Sequence, residues 1–450
     1  MPSIEYAKDT ASPLEWCNSY FKTKFSSCEP SLDDALEVMQ REAFLHFRRL
    51  GVPKMRAENW RHTDISEAVK IPAALTSLPK KRQLSKHKSD AAISLLAPSL
   101  SDNSLVFVDG FFCESLSSTK ALPKTVTCFS LRSTRDRHVL AIPCDIIEKH
   151  LSRYASSEKN AFVALNTALM DDVCAIHIAS GTKIVEPLEI IFVSTEWSDK
   201  RAIFPRILIV AEADSHASII ERFAGKNECA HLTNAVTEIV LNENASLEYH
   251  KVQNESLLSS HISATYVHQS RSSDFSAHLF SLGSKLARNE IHITLAGKNS
   301  SANIFGLSMA GSRQHLDTST TVDHAVSHCK SYQLLKGIYG DDSCGVFNGT
   351  IVVREKAQKT TAFQKNSSLL LSPNASTNSQ PQLKIWADDV KCSHGATVGT
   401  LDDEALYYLR SRGIDEKLAK SLLVSAFANE VVELVKNDRL RHFVSSLLSS

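Results

Sequence analysis

The sequence predicts a mainly β protein whose middle is a solenoid of short strands, flanked by helical regions at both ends. Three observations predict it. From about Glu186, short apolar runs rich in Val, Ile, Leu and Thr follow one another, at Leu188–Ser194, Ile207–Ala211, Ala217–Phe223, Val236–Leu241, Ala245–Val252 and Ile291–Leu295. Polar punctuation separates them: Ala213-Asp214-Ser215, Asn242-Glu243-Asn244, Arg271-Ser272-Ser273-Asp274 and Gly297-Lys298-Asn299-Ser300. The restart after each turn repeats a small–polar–apolar wording, seen at Ala217-Ser218-Ile219, Ala245-Ser246-Leu247 and Ala302-Asn303-Ile304. A small side chain there suits the tight corner of stacked rungs. Helical periodicity is nearly absent for roughly two hundred residues, which leaves a solenoid or a sandwich. Asn-Gly hairpin signals are almost missing, Asn348-Gly349 being the exception, and this favours the solenoid. The reading divides the chain into a mixed, largely helical region (1–185), a β-solenoid core (186–399) and a C-terminal helical domain (400–450).

Composition narrows the function classes. Lys and Arg number 50 against 50 Asp and Glu, so no net field points to nucleic acid or an anionic membrane. The 10 cysteines are scattered singly from Cys17 to Cys392 without a Cys-x-x-Cys pair, which suits a reducing compartment. The N-terminus, Met1-Pro2-Ser3-Ile4-Glu5-Tyr6, lacks the basic and apolar stretches of a secretory signal. Apolar runs such as Ile207-Leu208-Ile209-Val210 are too short to cross a bilayer. A soluble, cytoplasmic protein is expected, with a mature form in a plastid stroma as the alternative.

Near the N-terminus, Ser31-Leu32-Asp33-Asp34 can start a helix whose apolar face is Ala35, Leu36, Met39, Ala43, Phe47 and Leu50, stopped by Gly51 and Pro53. Glu58-Asn59-Trp60-Arg61-His62-Thr63-Asp64 is polar around one aromatic, which reads as a Trp anchoring a domain surface ahead of a binding loop. Lys80-Lys81-Arg82 with Lys86 and Lys88 reads as a solvated linker, since no aromatics interleave it. After the strands, Thr400 can cap a helix with Asp402, Asp403 and Glu404 in its first turn, Arg410 and Arg412 in its last, and Gly413 as its stop. A second helix begins near Asp415 with the stripe Leu418, Leu422, Ala426, Val431 and Leu434, and Lys417, Lys420, Glu430 and Glu433 outside it. Such a helical cap either covers the open edge of the last rung or docks a partner.

No phosphate-binding glycine loop, nucleophile elbow or His-Glu-x-x-His motif occurs, so any ATP-driven step belongs to another subunit and this chain holds no nucleotide. His315, His324, His328 and Cys329 form one metal-capable group, for which a structural role is preferred because Thr318, Thr320 and Val322 favour a strand. Cys344, in Asp341-Asp342-Ser343-Cys344-Gly345, reads as an incidental turn thiol. Cys392 and His394 are more specific. They stand two apart behind an apolar run, so on a strand they project from one face, and both are ligand types for iron or zinc.

The wording from about Gly283 to Ala428 carries a resemblance. Gly283-Ser284-Lys285-Leu286-Ala287-Arg288-Asn289-Glu290-Ile291 precedes His315-Leu316-Asp317-Thr318, Lys336-Gly337-Ile338, Val346-Phe347-Asn348-Gly349 and Ala357-Gln358-Lys359-Thr360. Ala387-Asp388-Asp389-Val390-Lys391-Cys392-Ser393-His394-Gly395-Ala396-Thr397 and Tyr408-Leu409-Arg410-Ser411-Arg412-Gly413-Ile414 close it. In that order the chain resembles the SufB/SufD family of iron–sulfur cluster assembly proteins, and Cys-Ser-His-Gly-Ala-Thr is the wording of its SufD branch. Gly51-Val52-Pro53 and Glu58-Asn59-Trp60-Arg61 also fit. The resemblance implies a right-handed parallel β-helix in a non-catalytic scaffold subunit of a SufBCD-type complex. It implies pairing with a SufB-like subunit through the β-helix and docking of a SufC-like ATPase through the helices around Ile414–Val435. His394 matches a histidine at the SufB interface that is a candidate iron or cluster ligand, with Cys392 its weaker neighbour, while sulfide acceptance falls mainly to SufB cysteines. A flavin in the complex and a homodimer of the isolated chain stay open, and neither nucleic acid nor membrane is implied. Two alternatives stand beside this reading. One is a purely structural subunit without a ligand; the other is a polysaccharide-active β-helix enzyme, which calls for clustered Asp and Arg on one rung face and a secretion signal.

Overall fold

The computed structural model describes residues 16–18, 21–22, 34–70, 98–130, 144–195, 200–225 and 228–449. The basic run around Lys80 and the helix-start residues Ser31, Leu32 and Asp33 lie outside them. Two ten-stranded sheets face one another, and successive strands alternate between them, so that each pair makes one coil of a parallel β-solenoid of about eight turns. Sheet A runs from Asn103–Val108 to Val390–Gly399, and sheet B from Val126–Ser130 to Ser376–Ile385. The two strands that open the sheets, with Cys174–Ile178 behind them, come from a stretch whose sequence reads as mainly helical.

Register explains the stacking. In sheet B one inward row reads Ile176, Ile209, Ile239, Val267, Ile293, Val322, Ile351 and Leu383, each beside the next. Branched side chains stacked along a parallel ladder fill the interior without gaps. At the corners leading from sheet B to sheet A, Asp214, Asn244, Ser272, Asn299, His328 and Lys359 all take positive φ. Their amides donate to the coil above: Asn244 N to Arg271 O at 3.0 Å, Ser272 N to Lys298 O at 2.9 Å, and His328 N to Gln358 O at 2.9 Å. The residue after each is small or slim and buried, namely Ser215, Ala245, Ser273, Ser300, Cys329 and Thr360. The recurrent turn wording is thus the corner, and His328 and Cys329 belong to it.

The outer face of sheet B is covered by the N-terminal helices. Helix α1 (Asp34–Leu50) packs on α3 (Ala161–Leu169), all nine of whose residues are buried, while the short α2 (Cys144–His150) lies between them in sequence. Gly51, at φ +67°, ends α1 as its sequence predicts. Asn160 caps α3 by accepting from Phe162 N at 2.9 Å and Val163 N at 3.3 Å. Below α3 lies the buried pair Arg206–Glu238 (2.5 Å), whose carboxylate also accepts the amides of Ser152, Tyr154 and Ala155 at 2.7–3.0 Å. Trp60 anchors the segment that follows α1. Its ring lies 5.5 Å from that of Phe162 and receives the Arg288 guanidinium at 4.0 Å from the centroid. Arg288 pairs with Asp317 and Glu290, and Thr63 Oγ1 donates to Asp317 at 2.5 Å. Further along, His62 reaches Gln380 of the last sheet B strand at 2.8 Å.

The C-terminal helices are α4 (Asp403–Ser411), α5 (Glu416–Val432) and α6 (Asp438–Ser449), the last not anticipated from sequence. The cap of α4 is Asp402, not Thr400: its carboxylate accepts from Glu404 N at 2.9 Å, and a carboxylate suits a helix N-terminus. The expected apolar stripe of α5 divides. Val431 is buried with Ala419, Ala428 and Val432, whereas Leu418 and Leu422 are exposed. Nor do these helices cover the last rung. Helices α5 and α6 lie on the outer face of sheet A, where Val431, Val432, Val435, Leu440 and Val444 meet Ile220, Val252, Phe280, Leu307 and Leu334. Lys336 fastens α5 by donating to Phe427 O at 2.9 Å and pairing with Glu430.

On this same face two histidines of adjacent strands, His250 and His278, are buried and stack at 4.8 Å, and the His250 ring has no hydrogen-bond partner. Burial lowers their pKa to about 3 and about 4, and Lys436 adds to the effect, while Glu248 opposes it at His278. Both rings are neutral when folded and take up protons freely only when the region opens. Their contribution is therefore full above the ordinary imidazole range and is lost as pH falls from about 6.5 towards 4. Between neutral pH and about pH 5 the two rings together should cost stability on the order of 4 kcal/mol. Hydrogen exchange should show α5 and α6 losing protection over that range, and the His250→Leu/His278→Leu variant should keep it. On the opposite face, Trp60→Ala should lower stability by about 3 kcal/mol in urea denaturation, with Trp60→Phe much milder.

Candidate functional site

The solenoid's two ends differ. At the first, the short antiparallel strands Phe111–Phe112 and Val126–Ser130 are the outermost members of the sheets. At the last, among the described residues, the ten-residue strands Ser376–Ile385 and Val390–Gly399 pair only with Cys344–Val353 and Thr360–Leu370, so each keeps one unpaired edge along its full length. Cys392 and His394 lie on that final sheet A strand.

Register gives their direction. Cys392 ends the inward row Ala217, Leu247, Phe275, Ala302, Ser331 and Ala362. His394 ends the row Ile219, Tyr249, Ala277, Ile304, Gln333 and Gln364. Both therefore project from one face of the strand, towards the solenoid interior, as their spacing predicts. Cys392 is half-buried against Ile351, Val353, Ala357, Ala362 and Ala387. Burial pushes its thiol pKa up, against the pull of the Ala362 backbone, so metal binding would have to displace its proton. His394 is exposed, because no coil lies beyond it. Among the described residues no three His, Cys, Asp or Glu side chains converge as a metal site. The end of the solenoid thus offers at most a partial ligand set.

The interior behind this end grows polar along its length. Glu221 accepts from Tyr249 at 2.5 Å and Thr237 at 3.0 Å, and Lys251 donates to Ser263 at 2.7 Å. Ser263 in turn donates to Asn289 at 2.7 Å, and Asn289 to Ser281 at 2.9 Å. Glu255 accepts from His231 (3.1 Å), Thr233 (2.5 Å), His261 (2.7 Å) and Gln253 (3.1 Å). Burial alone would raise its pKa, but His261 and His231 hold it well below the usual carboxylate range. Motif reading passed over these residues. The signal that marks them is parity: Glu221 shares the inward phase of Ile219 and Phe223, and Lys251 that of Leu247 and Tyr249. Nearer the open end, Thr320 donates to Gln333 at 2.7 Å, and Gln364 donates to the same Gln333 oxygen at 3.2 Å.

The other metal-capable group does not assemble. His324 is fully buried on Ser331 (2.9 Å), His315 faces Thr63 (3.0 Å) on the outer surface, His328 is a corner residue, and Cys329 fills the interior beside it. Cys344 is a half-buried thiol that opens the strand Cys344–Val353. Two apolar surfaces remain exposed. Ile385, Trp386 and Val398 adjoin the open rung in sequence, and Tyr407, Tyr408, Leu418 and Leu422 belong to α4 and α5. No helix among the described residues is long and apolar enough to cross a membrane.

Comparison with known proteins places this architecture. The family model for the SUF system FeS cluster assembly SufBD core domain matches residues 192–427, and that for the SufBD protein N-terminal region matches residues 16–190. The chain is 32% identical over 399 residues to the iron–sulfur cluster assembly protein SufD of Escherichia coli, covering 88% of both chains. It is also 32% identical over 414 residues to an iron–sulfur cluster assembly SufBD family protein of Synechocystis, covering 88% of this chain and 87% of that one. Protein ABCI7, chloroplastic, of Arabidopsis thaliana is 35% identical over 298 residues, or 64% of this chain and 63% of its own. A parallel solenoid of this register, matched along both its parts, identifies the chain as a member of the SufBD family of iron–sulfur cluster assembly proteins.

Proposed function

We propose that this chain is the SufD-like, non-catalytic scaffold subunit of a SufBCD-type complex that assembles iron–sulfur clusters and hands them on. The observation that carries the reading is the placement of Cys392 and His394 on the inward face of the last strand, at the end where two full ten-residue strands keep an unpaired edge among the described residues. Unpaired edges add strands from a partner, and here the partner is a SufB-like subunit. Pro381 breaks the donor row of the sheet B edge, which leaves Val390–Gly399 the more complete template. In the absence of the partner a second copy of the chain takes the same edges. Imidazole and thiolate are fitting donors to iron, and a partial set completed across an interface lets cargo be released when the subunits move apart. Imidazole is the stronger candidate, since His394 is exposed whereas Cys392 must first lose a proton that burial retains.

The exposed Leu418 and Leu422 of α5, with Tyr407 and Tyr408 of α4, form the surface for a SufC-like ATPase, which supplies the ATP hydrolysis this chain lacks. The scattered cysteines, without a Cys-x-x-Cys pair, suit a reducing compartment, the cytosol or a plastid stroma.

His394→Ala should leave the fold and the complex intact while lowering cluster absorbance on anaerobic reconstitution at least tenfold. An unchanged cluster would leave the chain as a structural half of the scaffold. Leu418→Asp/Leu422→Asp should abolish co-purification of the ATPase and retain the SufB-like subunit, because neither leucine supports the fold of this chain. Loss of both partners together would argue against separate surfaces.

A further inference from the structure

We infer that Gln364 is the positioning residue for His394, fixing the ring's tautomer and so the nitrogen left open to iron. Gln364 precedes His394 in the inward row and is 3% exposed. Its amide nitrogen is spent on Gln333 Oε1, which also accepts the Thr320 hydroxyl. Its oxygen is buried and has no partner. A buried acceptor left unpaired costs about 1–3 kcal/mol, so its persistence calls for a reason. The next side chain along the row is the exposed imidazole of His394. Space for the glutamine is reserved: a Cβ at Gly349 would stand 2.2 Å from Gln364 Nε2 and 2.5 Å from the Phe347 ring. That is the use of Asn348-Gly349, which lies within the strand Cys344–Val353 and makes no hairpin.

The order of donors sets a polarity. The Thr320 hydroxyl holds the Gln333 oxygen, that oxygen draws the Gln364 amide nitrogen, and the Gln364 oxygen is left without a partner in the row that His394 ends. An imidazole N–H donated to that oxygen leaves the other ring nitrogen with its lone pair, the form that binds a metal. With the amide reversed, Gln364 would donate to the ring, the second nitrogen would carry the proton, and ligation would be blocked.

The inference rests on His394 being a ligand, and the test separates the two. In the full chain carrying 15N-histidine, with the His394 signals identified by their loss in His394→Ala, the wild-type ring should hold one dominant tautomer. Gln364→Leu should give a mixture, Gln364→Glu should restore the single form, and Gly349→Ala, which displaces the glutamine, should resemble Gln364→Leu. Cluster yield in the anaerobically reconstituted complex should fall about tenfold in Gln364→Leu and recover in Gln364→Glu. If Gln364→Leu does not fold, Gln364→Asn, with the amide kept one carbon short, is expected to show the same mixture. A tautomer balance unchanged in the folded Gln364 variants overturns the inference. A shifted balance with normal cluster yield in both Gln364→Leu and His394→Ala supports the contact and overturns the ligand reading instead.

Discussion

A coil of a parallel solenoid satisfies its backbone only through the coils above and below it, and every feature of this chain answers that constraint. Along the middle, each strand has two parallel neighbours, and the corners at Asp214, Asn244, Ser272, His328 and Lys359 each donate an amide to the next coil. The first coils end in short antiparallel strands. Both flanks are sealed by helices, through Trp60, Arg288 and α3 on sheet B and through α5 and α6 on sheet A. Among the described residues the last coil leaves two full-length strands with an unpaired edge, and Cys392 and His394 stand on one of them.

The interior is unusual for carrying charge. Glu221, Lys251 and Glu255 are buried where a solenoid of this width could hold aliphatic side chains. Each is furnished with donors or acceptors, which is the condition under which buried charge is tolerated. Glu255 draws on four donors from three strands and the adjoining loop, so the central coils are tied in register by hydrogen bonds as well as by shape. The polar character continues through Thr320, Gln333 and Gln364 to the open end.

Much of this was legible in the sequence. The run Leu188–Ser194 is a strand with those limits, and the Asp-Ser, Asn-Ala and Ser-Ser pairs at the turns mark the corners because the first residue takes positive φ and the second must be small. Cys392 and His394 share a face as a two-residue spacing requires. Other features had no local signal. Leu418 and Leu422 share a helical stripe with Val431, and periodicity alone does not say which part of a stripe meets its own chain. The position of the helices on the side of the solenoid, away from its end, is a matter of tertiary packing. So is Gly349, which reads as a turn residue but serves a glutamine on the opposite sheet. Thr400 and Asp402 are both competent caps, and only the path of the chain chooses between them.

The strand Val390–Gly399 runs into α4 at Asp403 with only Thr400, Leu401 and Asp402 between. That tether is too short to absorb slack. The helix pair is also strapped to the neighbouring strands of sheet A, where Glu430 bridges Lys336 and Lys365. A displacement of α4 is therefore passed directly to the strand that carries His394, with no loop between to take it up. Geometrically, the molecule is a rigid shaft with a crank attached at its working tip.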